Sequence, residues 1–282
     1  MSTNLNGYDV VVIGSGFGGA LLTHALLNEG RRVLVLERGR WPYRDSEDWN
    51  QKKILLDQRY KGRAPTLVRQ YGARNYSKMY GNEVVGGKSV FYGGASLRLR
   101  ENDFSKWPFS YEDFITSYER AEILLGVHGS AGSDPYEPKE VSSYPFEPIG
   151  LTAPAQRIEK AGKKLGLQPF SIPLAINFND SNKPRCQRCN TCDGFPCQIE
   201  AKNDVATTFL KGTKSGALEV KTNTIVERIK TKGERVSAVE YIDKNDGSRG
   251  LVEGDTIVLA AGAIQSPALL KRSGFEHPLI GR

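Results

Sequence analysis

The 282 residues carry 39 Lys and Arg against 32 Asp and Glu, a net charge of +7, with 39% apolar residues and only four cysteines. That balance suits a folded chain of two domains, or one large domain with an insertion. The basic residues are scattered (Arg31, Arg32, Lys52, Lys53, Lys163, Lys164, Lys230, Lys232) and not gathered into an arm or a helix face, which argues against a nucleic-acid partner.

No apolar run reaches transmembrane length, so no membrane span is expected. The start MSTNLNGYDVVVIG has neither a charged n-region nor an apolar h-region. The expectation is a cytoplasmic chain in reducing surroundings, or one exported as the passenger of a signal-bearing partner.

Val10 to Ile13 form a short, continuous apolar run of the kind a buried parallel strand requires. Gly14-x-Gly16-x-x-Gly19 then opens a helix. Gly14 permits the tight turn, Gly16 lets backbone amides approach a pyrophosphate, and Gly19 allows close helix–strand packing. A second apolar strand, Val33 to Leu36, ends in Glu37, about twenty residues beyond the glycines, where a carboxylate accepts hydrogen bonds from a ribose. An acidic residue there also argues against a 2′-phosphate.

Two later stretches extend the pattern. VVGGKSVFYGGASLR (84–98) is a second glycine-rich run with one hydroxyl, Ser89, beside one aromatic, Tyr92. TIVLAAGAIQSPALLKRSG (256–274) is an apolar strand that runs into Ala260, Ala261 and Gly262, small enough for a cofactor to lie against the backbone. Three backbone-approach sites over 250 residues suit a long ligand such as FAD.

Between these stretches the dinucleotide pattern stops near residue 101. Ser110-x-x-Asp113 reads as a capping box for a helix carrying Phe114, Tyr118, Ala121 and Leu125 and ended by Gly126. Residues 129–150 read as a loop, and Thr152 to Leu165 as a second amphipathic helix closed by Gly166. Asp204 caps a helix through Leu210. Three strands follow, around Leu218–Ile229, Val236–Ile242 and Ile257–Ala260, with turns at Lys232-Gly233 and Asn245-Asp246-Gly247.

Together VVVIGSGFGG with Glu37, GGKSVFYGG, WPFSYEDFITSYERAEILLGVHG and LAAGAIQSPALLKRSG resemble the glucose–methanol–choline (GMC) family of flavin oxidoreductases, from about residue 8 to the last. The resemblance implies an α/β fold. In it a Rossmann-type FAD-binding domain, a parallel sheet with a β-meander, is interrupted by a mainly helical insertion. The expected boundaries are 1–100 with 200–282 for the FAD domain and 101–199 for the inserted lobe. By the same resemblance Gly14, Gly16, Gly19 and Glu37 bind the ADP half of FAD, with Phe17 and Arg38 counted among the cofactor-binding residues. Gly87 and Ser89 reach the pyrophosphate, and Tyr92, Gly93 and Gly94 lie beside the isoalloxazine. Val226 touches the adenine through its backbone, and Ala261 and Gly262 complete the set.

Oxidising an alcohol at a flavin needs a base for the hydroxyl proton, usually His. The three histidines, His24, His128 and His277, read as structural or exposed. No catalytic residue is therefore expected here, because the family carries its base in a C-terminal half beyond this pattern. The leading expectation is the cofactor-binding half of an FAD-dependent dehydrogenase acting on the CH–OH group of a small alcohol, polyol or sugar, with an external electron acceptor. The alternative is a stand-alone FAD-binding, electron-transfer module without alcohol chemistry.

All four cysteines, Cys186, Cys189, Cys192 and Cys197, lie in CQRCNTCDGFPC. Tetrahedral thiolate ligation would suit an iron–sulphur cluster or Zn²⁺, and the close C-x2-C-x2-C run favours the cluster. Some members of the family carry cysteine clusters in this part of the chain, where a cluster would pass electrons from flavin to the acceptor. A cysteine-rich turn of free thiols or disulfides is the competing reading, and spacing leaves both open.

Overall fold

The computed structural model describes residues 7–70, 72–139, 141, 143–179, 183–211, 213 and 216–282. The chain divides into two compact units, one made of Met1–Phe91 with Asp204–Arg282 and the other of Tyr92–Asn203.

The first unit begins with β1 (Val10–Ile13), α1 (Phe17–Asn28) and β2 (Val33–Leu36), followed by a small hairpin of β3 (Thr66–Val68) and β4 (Ser77–Met79). After the second unit come β5 (Leu218–Lys221), β6 (Thr224–Lys232), β7 (Arg235–Asp243), β8 (Arg249–Glu253) and β9 (Thr256–Leu259). β5, β2, β1 and β9 form a parallel sheet in that order, with Val10 opposite both Val33 and Thr256, and Val33 opposite Leu218.

The central strands are apolar at every position because both faces of the sheet are covered. Val11, Ile13, Leu34 and Leu36 point to one face and pack against Val226, Ile229, Val239, Tyr241 and Val252 of the β6–β7–β8 meander and Leu269 of the closing helix. Val10, Val12, Val33 and Val35 point to the other face, against Leu26 and Leu27 of α1.

Two features of this region differ from the sequence reading. The run Leu218–Ile229, expected as one strand, is two: β5 joins the parallel sheet and β6 opens the meander. The break falls at Asn223, whose φ of 53° is the left-handed conformation Asn tolerates. β8 was not foreseen, because RGLVE offers only Val252 to the core and is specified by its pairing with β7. The segment after Asp204 does have its expected cap, with Thr207 N donating to Asp204 Oδ1 at 3.1 Å, but Ala206–Lys211 winds as a π-helix.

In the second unit α2 (Ile115–Leu125) follows a short 3₁₀ turn and ends at Gly126, φ 61°. Asp113 Oδ2 accepts from Ser110 N at 2.9 Å, so the capping box closes through its carboxylate. α3 (Ala153–Lys164) matches the expected amphipathic helix, yet Ile158 is 71% exposed and the adjoining Leu165 76%. A polar cluster is also buried in this unit. Arg98 donates to both carboxylate oxygens of Glu122 at 2.7 Å and to the Tyr111 hydroxyl at 3.0 Å. The closing helix of the first unit is α4 (Gly262–Arg272). Among the described residues no helix is long and apolar enough to cross a membrane.

Candidate functional site

Each glycine of the first motif does a separate job. Gly14 has φ +99°, and a Cβ there would stand 2.6 Å from the Ala260 carbonyl oxygen. At Gly19 a Cβ would overlap the Gly14 carbonyl oxygen itself, so α1 can press against the end of β1 only because both residues are bare. Gly16, the N-cap of α1, is different: a Cβ there would meet nothing within 4 Å. No side chain caps α1 at this point, and a helix N-terminus facing open space is a place for an anion.

Gly87, φ +54°, brings the second glycine run to the same spot, its Cβ position 3.4 Å from Gly16 Cα. Gly262, φ +82°, opens α4 just after Ala261 and also faces open space. β1 is flanked by β2 on one side and β9 on the other, and the chain leaves β1 toward β2 and leaves β9 toward α4. The space outside the carboxyl ends of these strands is a topological switch point, where open α/β sheets take their ligands.

Glu37 closes this rim from the end of β2 and is only 7% exposed. Its Oε2 accepts from Ser15 N at 3.1 Å and Ser15 Oγ at 2.5 Å, and its Oε1 accepts from Gly39 N at 2.8 Å. Burial pushes the carboxyl above its ordinary value, against the opposing pull of these donors. A carboxylate has about four acceptor positions, and with three filled it is held in one orientation with capacity left for a further donor. Ser15 does a second job, since its Oγ accepts from Gly86 N at 3.0 Å and so joins the two glycine runs. Sequence reasoning passed over Ser15 because it occupies a variable position of the motif.

Other expected residues have different placements. Ser89 is fully buried, its Oγ donating to Gly86 O at 2.8 Å and accepting from Val205 N at 3.1 Å. Its proton is thus committed within the fold and is not offered to a phosphate. Ser89→Ala should destabilise the chain by about 1–3 kcal/mol, because Val205 N loses its partner in a buried place, an effect urea denaturation would read. Arg38 pairs with Glu83 at 2.7 Å. Val226 lies in the core beside a bulge in β6, opposite Tyr241.

Tyr92, Gly93 and Gly94 belong to the second unit. The Tyr92 hydroxyl donates to Asn203 O at 2.9 Å, and a Cβ on Gly94, φ +83°, would stand 2.7 Å from Ile176 Cγ1. The histidines lie apart. The His24 ring lies 5.0 Å from that of Phe209, tilted by 51°, while His128 is buried against Phe146 with Nδ1 2.9 Å from Glu147 O.

At the cysteines the metal expectation gains no support. Cys186, Cys189, Cys192 and Cys197 form no disulfide, and among the described residues no set of three or more His, Cys, Asp or Glu side chains is arranged to hold a metal ion. Burial pushes the Cys186 thiol up and that of Cys192 to about 11, and the charges of the neighbouring cysteines add to both rises. What the loop does wrap is the ammonium of Lys202, a residue with no sequence signal of its own: its Nζ donates to Cys192 O and Phe195 O.

The chain matches the family described as GMC oxidoreductase over residues 8–282. It is 32% identical to 6'''-hydroxyparomomycin C oxidase of Streptomyces lividus over 98% of this chain and 53% of that protein. With 2-methyl-1,2-propanediol dehydrogenase of Mycolicibacterium austroafricanum it is 27% identical, over 99% of this chain and 53% of that protein. The chain therefore spans about half the length of these relatives. In solved structures its fold is similar to that of pyridoxine 4-oxidase from Mesorbium loti, with a TM-score of 0.66 at 23% identity, covering 95% of this chain and 52% of that one. Sequence motifs, sheet order and family match agree: the chain belongs to the GMC oxidoreductase family.

Proposed function

We propose that the chain binds FAD and serves as the cofactor-binding half of an enzyme that oxidises the CH–OH group of a small alcohol, polyol or sugar. The observation that carries the reading is the backbone cradle at the switch point. There Gly16 and Gly262 have open space where a side chain would stand, Gly87 approaches Gly16, and the Glu37 carboxylate is held at the rim. A diphosphate suits the helix N-terminus at Gly16 and the Gly87 turn, and a ribose hydroxyl suits the remaining acceptor position of Glu37. Phe17 at the start of α1, Ala261 at the N-cap of α4, and Arg38 beside Glu37 border the same cradle in sequence. Tyr92, Gly93 and Gly94 are proposed for the isoalloxazine, and Val226 for the adenine.

When bound, the flavin supplies a hydride acceptor, which no side chain can provide. The residues of this chain bind and orient it. Removal of the hydroxyl proton is assigned to a residue outside this chain, consistent with its spanning about half of its relatives. Those relatives are named for hydroxylated small molecules, which supports the substrate class. Flavin bands released into solution when the purified chain is denatured would bear the reading out. A colourless chain that does not quench FAD fluorescence on titration would sink it.

Glu37 makes the affinity pH-dependent. Ribose hydroxyls donate to the ionised carboxylate, so FAD affinity should fall as pH drops through the raised value of Glu37. Because the folded value lies above the ordinary one, this group's contribution to the stability of the unliganded chain is fully present at low pH. It is lost as pH rises through the raised value. Glu37→Gln should flatten the affinity profile and weaken binding by about tenfold to a hundredfold, the worth of a hydrogen bond to a charged group. Titration calorimetry between acid and neutral pH would read both effects, and a flat wild-type profile would contradict them.

A further inference from the structure

The cysteine-rich loop has no role in the reading above, and its contacts suggest one. Lys202 is fully buried. Its Nζ donates to Tyr92 O at 2.7 Å, Cys192 O at 2.7 Å and Phe195 O at 2.8 Å. The same Nζ stands 5.7 Å from the centre of the Tyr92 ring. The neighbouring Asn203 accepts from the Tyr92 hydroxyl at 2.9 Å, so Tyr92 is held at both ends by consecutive residues. One residue further, a Cβ on Gly93 would stand 3.4 Å from Asp193 Cβ, and Ala175 N donates to Gly94 O at 2.7 Å. The turn Tyr92–Gly94 is thus laid directly on Cys192–Phe195, with one ammonium bonded to both.

We infer that Lys202 is a positioning residue, whose ammonium couples the cysteine-rich loop to the Tyr92–Gly94 turn and so sets the surroundings of the flavin ring. The inference rests on the FAD reading, which puts that turn beside the ring. A compact ammonium with three donors matches three converging carbonyls, whereas the planar fork of an arginine does not. A buried ammonium is tolerated only when its donors are satisfied, so the loop carbonyls and the lysine hold each other in place. The loop thiols then sit on an element whose movement is transmitted to the turn.

The test uses the full chain reconstituted with FAD. Lys202→Met keeps the length of the side chain and takes the ammonium donor from three carbonyls, those of Tyr92, Cys192 and Phe195. The folded variant should still bind FAD, because the ADP-binding residues lie elsewhere. The absorption bands of its bound flavin should shift, and the loop thiols should react with N-ethylmaleimide about tenfold faster, as expected for about 1.4 kcal/mol of eased opening. Lys202→Arg should not restore the wild-type spectrum. A folded Lys202→Met protein with wild-type spectrum and labelling rate overturns the inference while leaving FAD binding intact. If that variant does not fold, the wild-type holoprotein decides. Labelling of its loop thiols should move the flavin bands, and full labelling with an unchanged spectrum overturns the coupling. A wild-type chain that takes up no flavin overturns the cofactor reading and this inference with it.

Discussion

Gly19→Ala should cost the chain about 3 kcal/mol or more, and Gly16→Ala almost nothing, although the two glycines belong to one motif. A methyl on Gly19 would overlap the Gly14 carbonyl oxygen and stand 3.3 Å from Ala260 Cβ. Backbone at the end of a central strand cannot swing aside as a flexible side chain can, so α1 must lift from the sheet. Overpacking of this kind costs about 1–3 kcal/mol even where neighbours yield, a large share of the roughly 5–15 kcal/mol by which a domain is stable. At Gly16 the added methyl meets nothing, and φ of −67° suits alanine, so stability should hold within about 0.5 kcal/mol. The methyl would nevertheless project into the space assigned to the pyrophosphate. Gly16→Ala should therefore remain folded and lose FAD affinity, whereas Gly19→Ala loses the fold first. Urea denaturation followed by circular dichroism separates the two, and equal midpoints would contradict this division of roles.

Arg98→Ala should destabilise the second unit by about 3–5 kcal/mol, the usual cost of leaving one partner of a buried ion pair uncompensated. Arg98 and Glu122 are both nearly inaccessible, and the pair is bidentate with both bonds at 2.7 Å. The Tyr111 hydroxyl, itself buried, would lose the same donor. Arg98→Met combined with Glu122→Leu should recover most of the loss, since no buried charge is then left alone. A double-mutant cycle measures the coupling directly. A single variant within about 0.5 kcal/mol of wild type would show that water reaches the Glu122 carboxylate.

The parallel sheet was legible in the chain because its determinants are local. A strand covered on both faces must be apolar at every position, and VVVI and VLVL are. The jobs of Gly14 and Gly19 were equally legible, since only a bare backbone can make their approaches. The meander was read less well. Leu218–Ile229 looks like one strand because β5 and β6 share composition, and only their different partners, β2 and β7, separate them. β8 has a single buried side chain and owes its conformation to pairing across the sheet.

The site divides along the same line. Glycine spacing and the acidic residue after β2 pointed to an α/β dinucleotide fold, and the longer motifs around them carried the resemblance to the family. The spacing of Cys186, Cys189, Cys192 and Cys197 was not enough to specify a metal site, and Ser89 in its glycine run was not enough to specify a phosphate ligand. Whether thiols converge, or a hydroxyl keeps its proton free, depends on which distant groups the fold brings beside them. Here those groups are the ammonium of Lys202 beneath the cysteine loop and the amide of Val205 against Ser89. Backbone geometry can be read from neighbours in sequence, but the saturation of a buried polar group is decided by neighbours in space.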